Sequence, residues 1–247
     1  MEPWRRWPRP PGGFADLGCG NGLLTHILVS EGYAGYGIDL RARKSWSHYP
    51  RPTQSRLVVR ALDPTTLALK DGRGVAPMEH QQHLSLDTSH NHDHNDNNPG
   101  TAEDDSGSSG NAEEDAADVN LDVLLPQGCF LIGNHADELT PWMAPLATLV
   151  QASGYLSIPC CAWALDARFD RARDVPLCAV DPGTLNLGGG PGYGGNGVGG
   201  VGGSSSYALY RVWLAALSVY CGWAVEVEML RIPSTRNWAI VGECFSR

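Results

Sequence analysis

Lysine is nearly absent from this chain: Lys44 and Lys70 are its two lysines in 247 residues. A phosphate-binding loop of the Gly-Lys-Ser/Thr type therefore has nothing to build on. Long apolar runs are missing too, and none approaches the length of a membrane span. Residues 1–13 hold Arg5, Arg6 and Arg9 but no apolar core, so no secretory signal is expected. No Cys-x-x-Cys pair occurs. The seven cysteines are scattered and odd in number, and Cys160 and Cys161 alone are neighbours. This pattern predicts reduced thiols in the cytosol or nucleus, a cytoplasmic location, and neither a disulfide frame nor a metal site.

Lysine and arginine are missing altogether from 79–120, which carries 11 acids and almost no large apolar residues. Such a composition buries too little surface to offset its ordering entropy, so a disordered insertion is expected there. His90, His92 and His94 alternate with polar residues within it and read as low-complexity drift rather than a metal site. The formal charge of −9 comes from this stretch; the remainder holds 16 acids against 18 bases, about +2, which is compatible with a polyanionic partner. A second, glycine-dominated insertion spans 188–206 and reads as a flexible connector. Residues 1–13 are expected to be a disordered N-terminus, and 14–247 a single domain interrupted by the two insertions.

What is present is a glycine turn, Phe14-Ala-Asp-Leu-Gly-Cys-Gly-Asn-Gly22, followed by Leu23, Leu24, Ile27 and Leu28 at helical spacing. A strand that turns through Gly18, Gly20 and Gly22 into a helix brings backbone N–H groups close to a ligand, where a Cβ would hold it off. A dinucleotide fingerprint would need glycine at position 23, which is Leu23. Asp-x-Gly-x-Gly-x-Gly instead resembles the first motif of class I S-adenosylmethionine-dependent methyltransferases. A second short strand, Tyr36-Gly37-Ile38-Asp39, ends in an acid 23 residues after Asp16. An acid at that place accepts hydrogen bonds from ribose hydroxyls.

Strand and helix patterns then alternate. Strands are expected at 57–62, 129–133, 155–160, 224–230 and 237–244, and helices at 139–152 and 206–221. The fold class is α/β: a Rossmann-like, mostly parallel sheet with helices on both faces and an antiparallel C-terminal edge strand formed by a hairpin. Ligands sit beyond the carboxyl ends of such strands. That rule gathers Gly18–Gly22, Asp39, Asp63 and Asn134–Glu138 around one cleft, with the turn 231–237 on the same side.

Four strings carry a narrower resemblance: 16–28, Leu-Ile-Gly-Asn-His-Ala-Asp-Glu-Leu-Thr-Pro-Trp at 131–142, Ile-Pro-Cys-Cys at 158–161, and Arg-Ile-Pro-Ser-Thr-Arg-Asn at 231–237. In this order they are similar to the eukaryotic tRNA(Ser) uridine-2′-O-methyltransferase family, over about 14–245. The resemblance implies S-adenosyl-L-methionine as cofactor, tRNA(Ser) as partner, no membrane, and methyl transfer to the ribose hydroxyl of the uridine at tRNA position 44. The cofactor-binding set it implies is Asp16, Gly18, Cys19, Gly20, Asn21, Gly22, Asp39, Asp63 and Asn134. Many ribose methyltransferases use a lysine-centred catalytic set, which this chain cannot supply at the cleft. Asp137 is the first candidate to orient or accept from the hydroxyl, with His135 and Glu138 as alternatives; a cap for the helix that follows is the other role open to the acids. Arg231 and Arg236 are candidates to clamp phosphate. Cys160 and Cys161 read as core thiols. Only 13 residues precede the first motif, where such enzymes carry a helical segment, and this raises the expectation of a truncated sequence. Two other functions stay open: an inactive fold retained for RNA or partner binding, and a methyltransferase acting on protein or a small molecule.

Overall fold

The computed structural model describes residues 9–65, 121–174, 180 and 205–243. β1 (Phe14–Leu17) is buried along its whole length. It turns through the glycines into α1 (Leu23–Ser30), which returns to β2 (Gly35–Asp39). After a 3₁₀ turn at Lys44–His48, the short α2 (Arg51–Gln54) starts with proline in its first turn and leads to β3 (Leu57–Val59). The next described elements are α3 (Leu121–Leu124), β4 (Phe130–Asn134), a 3₁₀ turn over Asp137–Trp142, α4 (Met143–Leu149) and β5 (Gly154–Ile158). α5 (Ser206–Tyr220), β6 (Ala224–Met229) and β7 (Trp238–Glu243) complete the described chain.

The seven strands form one sheet in the order β3-β2-β1-β4-β5-β7-β6. The first five are mutually parallel, and β7 runs antiparallel to both β5 and β6. The C-terminal hairpin thus makes the antiparallel edge, with β7 inside it and β6 outermost. Residue partners show which helix covers which face. Asp16 pairs with Gly37 and Ile132, and the Thr25 hydroxyl of α1 donates to Asp16 Oδ2 at 2.9 Å. Leu131 and Tyr155 share the opposite face. There Gly133 lies against Met143 of α4, and the Tyr155 hydroxyl donates to Ser218 Oγ of α5 at 2.5 Å. Helices therefore lie on both faces, as the strand–helix alternation predicts.

Two apolar clusters hold these layers. One packs Leu131, Met143, Leu146 and Tyr155 with Trp223; the other packs Tyr210, Trp213 and Leu214 of α5 against Val227, Trp238 and Ile240 of the hairpin.

Several boundaries differ from the sequence expectation, each for a local reason. β3 stops at Val59 rather than 62, because its partner β2 ends at Asp39, whose carbonyl accepts a last bond from Arg60 N. The helix expected from 139 to 152 is a 3₁₀ turn followed by a seven-residue α-helix. Pro141 and Pro145 each remove an N–H from that ladder, and Gln151 at φ 52° ends it. β5 stops at Ile158 because Pro159 has no donor for the sheet.

Of the segments expected to be disordered, 79–120 lies outside the described residues. Residues 9–13 of the N-terminal stretch are described and packed: Gly12 N donates to the Gly128 carbonyl, and the Arg9 guanidinium lies 4.3 Å from the Tyr33 ring centre. At the end of the glycine-rich stretch, Ser205 caps α5 by accepting from Ala208 N at 3.1 Å, and Ser206 is already helical; its described part is the helix start.

Candidate active site

The glycine turn folds back over the end of β2. Gly18 N and Cys19 N both donate to the Ile38 carbonyl, at 2.9 and 3.1 Å. Gly18, Gly20 and Gly22 all have left-handed backbones, at φ 69°, 54° and 77°. Their surroundings separate them. A Cβ on Gly22 would come within 3.0 Å of Leu57 and 3.3 Å of the Trp46 indole nitrogen, so packing demands that glycine. A Cβ on Gly18 would touch Ala136 at 3.6 Å. A Cβ on Gly20 would meet no protein atom nearer than 4.0 Å. Among the described residues, no side chain occupies the space beside Gly20.

Asp39 closes this turn from β2. It is 8 % exposed. Its Oδ2 accepts from Gly20 N at 2.9 Å, and its Oδ1 accepts from Arg41 N at 3.1 Å and from the Arg43 guanidinium at 3.5 Å. A carboxylate offers about four acceptor positions, two on each oxygen, so Oδ2, with one of its two taken, retains room for a ligand hydroxyl. Trp46 steadies the turn by donating from its ring nitrogen to the Gly20 carbonyl at 2.9 Å, a role its place in the sequence did not advertise.

The other sequence candidates divide by where their side chains go. Asp16 is 2 % exposed and lies beneath the turn, bonded to Thr25; burial, and then the Asp39 charge, push its pKa up to about 6 against the opposing Thr25 bond. Cys19 turns inward onto Trp46 and Leu57, and burial raises its thiol far above the ordinary range. Asn21 Oδ1 accepts from Leu23 N at 3.0 Å and starts α1. Asp63 is exposed four residues past β3, where its Oδ1 accepts from both the amide and the hydroxyl of Thr65.

The second half of the site follows β4. Asn134 ends the strand, and Asn134, His135, Asp137 and Glu138 are all exposed. His135 and Asp137 stand at φ 58° and 45°, a conformation uncommon for residues with a Cβ. Ala136 between them is buried and packs on Gly18, which sets this loop against the glycine turn. The 3₁₀ turn that begins at Asp137 has no side-chain cap. Instead the Cys160 thiol donates to Asp137 Oδ1 at 3.1 Å. Burial, followed by the Asp137 bond, pushes that thiol up to about 12. Cys160 and Cys161 are half-buried at the carboxyl end of β5 and border the site, not the core positions their neighbourhood in the sequence suggested.

A patch of aromatic and cationic groups continues from there. Tyr207 of α5 donates to the Pro159 carbonyl at 2.8 Å. The Arg236 guanidinium lies 3.9 Å from the centre of the Tyr207 ring, and that of Arg211 lies 3.9 Å from the Trp238 ring. Because β6 runs parallel to β5, the turn carrying Arg231 and Arg236 emerges at the same end of the sheet as the glycine turn. Arg231 is exposed in that turn, and Arg236 is half-buried on Tyr207. Sequence patterning gave Tyr207 only as one more residue on an apolar helix face.

Residues 5–64 match the family described as "Predicted AdoMet-dependent methyltransferase". Over 93% of its length the chain is 37% identical to the tRNA (uracil-O(2)-)-methyltransferase of Schizosaccharomyces pombe, of which it covers 36%. It is 35% identical to the protein of that name from Neurospora crassa and 34% identical to that from Saccharomyces cerevisiae, again over 93% of this chain and 35% and 36% of theirs. The chain thus spans about a third of the length of these curated relatives. No solved structure matches it.

Proposed function

We infer that this chain belongs with the tRNA (uracil-O(2)-)-methyltransferases to which it is similar over 93% of its length, that it binds S-adenosyl-L-methionine, and that it transfers the methyl group to the ribose 2′-hydroxyl of a uridine in tRNA(Ser). The observation that carries this reading is the contact of the two loops. Gly18 lies on Ala136, so the turn suited to the cofactor and the loop bearing Asp137 adjoin at one end of the sheet. The left-handed Gly20, with open space where a Cβ would stand, and Asp39, with acceptor capacity left, fit a nucleoside whose ribose is held by a carboxylate. When bound, the cofactor supplies a methyl group activated on a sulfonium.

The chain's own residues have two tasks. One is alignment, because displacement at carbon needs the attacking oxygen opposite the sulfur. The other is to receive the hydroxyl proton as the O–CH₃ bond forms and the S–CH₃ bond breaks. Asp137 is exposed beside the glycine turn and suits the second task; His135 and Glu138 flank it. Arg231 and Arg236 suit the phosphates of the RNA. The choice of tRNA(Ser) rests on the resemblance of the 131–142 and 231–237 strings, and a cytoplasmic site of action on the reduced-thiol pattern.

Calorimetry with the cofactor tests the first half. Gly20→Val fills the open space, and Asp39→Ala removes a charged acceptor worth about 1.5–3 kcal/mol, so both should lower cofactor affinity by tenfold or more. Equal affinity in wild type and both variants would remove the glycine turn from the site. Methyl transfer from labelled cofactor to tRNA(Ser), to other tRNAs, and to protein and metabolite extracts tests the second half. Label appearing only in protein or metabolites would give the site to another substrate class.

A further inference from the structure

We propose that Asp137, Cys160 and Cys161 form a binding site for a thiolate-preferring divalent cation of the zinc class, with one coordination position left for a ligand from the cleft. A carboxylate oxygen of Asp137 and the two sulfurs all lie within 4.8 Å of one another. In a tetrahedral site with zinc–sulfur bonds of about 2.3 Å, donor atoms stand about 3.5–4 Å apart. The Asp137–Cys160 pair, at 3.1 Å, stands slightly closer than that spacing and would open to it, while Cys161, within 4.8 Å of both, would close to it.

The arrangement has a definite origin. Adjacent residues of a strand point to opposite faces. Pro159 ends β5 just before the two cysteines, so they leave the sheet and their sulfurs converge. Tyr207 ties the start of this turn through the Pro159 carbonyl. Asp137 reaches it from β4 through the left-handed backbone at His135 and Asp137. The ligands therefore come from two strand ends, which is why no Cys-x-x-Cys spacing announces them.

The donor set selects the ion. Two thiolates disfavour magnesium and calcium, which take oxygen ligands, and suit zinc. Three protein ligands are the mark of a site with an open fourth position. Asp137 is exposed and both cysteines half-buried, so the site is accessible from solvent. A hydroxyl bound at that position would release its proton more readily, and with Asp137 holding the ion the proton would pass to His135 or Glu138 beside it. Among the described residues no lysine lies at the ends of β4 or β5 to do so: Lys44 sits in the turn after β2. This last use rests on the methyl transfer proposed above; the cation site itself does not.

The test uses the full chain, reduced and freed of metal, with His90, His92 and His94 changed to alanine to remove the alternating histidine tract as a competing ligand. Titration with cobalt(II) should give one equivalent with thiolate-to-cobalt charge-transfer absorption, bleached by zinc. Cys160→Ser and Cys161→Ser should each lose most of that absorption and weaken binding by more than the about 10–100-fold that outer-sphere changes cost. Asp137→Asn, an exposed position where folding is not at stake, should weaken binding with the absorption retained. Absence of the thiolate band in the parent, or an undiminished band in both serine variants, would overturn the site. Tight binding together with methyl transfer indifferent to zinc removal would overturn its catalytic use, while the methyltransferase reading stands. If no RNA is methylated, the cobalt spectrum still decides the site.

Discussion

Asp16 sits where a charge is expensive. It lies under the glycine turn at 2 % exposure, with the Thr25 hydroxyl as partner and Asp39 close enough to repel it. Its pKa rises from 3.8 to about 6. The folded state therefore holds this proton more tightly than the unfolded chain does. Its contribution to stability is fully present below pH 3.8, declines as pH rises, and is lost above about 6. Two units correspond to about 3 kcal/mol, an upper figure. Asp16→Asn keeps the acceptor for Thr25 and removes the charge. Urea unfolding should find the variant close to wild type at pH 4 and more stable by about 2–3 kcal/mol at pH 7. An equal difference at both pH values would show that the carboxylate is not desolvated. The same residue also shows why a motif aspartate is ambiguous in sequence: the spacing announces it, but only the fold puts its side chain beneath the turn and leaves Asp39 as the acid proposed to face the ligand.

At the scale of elements, α1 is held close to the sheet by one missing side chain. A Cβ on Gly37 of β2 would stand 2.3 Å from Thr25 Oγ and 3.0 Å from a Leu57 methyl. Gly37→Ala should push α1 outward and break the Thr25–Asp16 bond, costing about 1–3 kcal/mol. For a chain of this size that lowers the melting temperature by about 2–4 °C per kcal/mol. Gly20→Ala meets nothing within reach and should cost only the left-handed backbone, about 1 kcal/mol. Melts of the two variants side by side decide this; equal losses would mean that α1 does not pack on β2 as closely as the geometry requires.

The contrast also marks what the sequence could reveal. β1, β2 and the glycine turn were legible because alternating glycines between apolar runs have few other structural uses. The mostly parallel sheet and its antiparallel hairpin followed from the alternation and the short final connection, whereas the order of the strands is set by long-range pairing that no local pattern encodes. The 3₁₀ turn at Asp137–Trp142 was less legible, since a helical apolar pattern does not show that Pro141 and Pro145 break its ladder. The partnership of Asp137 with Cys160 was hidden for a different reason: it joins two strand ends 23 residues apart, and no local spacing encodes it.

For the whole molecule the question is how an acidic protein would engage a polyanion. The charge of −9 is concentrated in 79–120, and the rest carries about +2. That balance is too small for attraction at a distance, so the proposed RNA contact must come from placement. The carboxyl end of the sheet presents Arg231 and Arg236 in one turn, with Arg236 on Tyr207; Arg211 is buried against Trp238 and is no part of that surface. Arg236 is preordered by its stack on Tyr207, whereas Arg231 is an exposed side chain in the same turn. Two kinds of contact are then separable. Arg231→Ala should remove one phosphate contact and reduce the slope of log K against log salt by about 0.7–0.9. Arg236→Lys keeps the charge and loses the planar stack; it should weaken tRNA(Ser) binding with the slope almost unchanged. Replacing 79–120 by a short Gly/Ser linker should strengthen binding at low salt by removing 11 acids, and this gain should vanish at high salt. Salt titrations of tRNA(Ser) binding on the four proteins make the comparison. If all share one slope and one affinity, the RNA does not lie across the 231–237 turn, and the arginine stack is a strut between α5 and the hairpin.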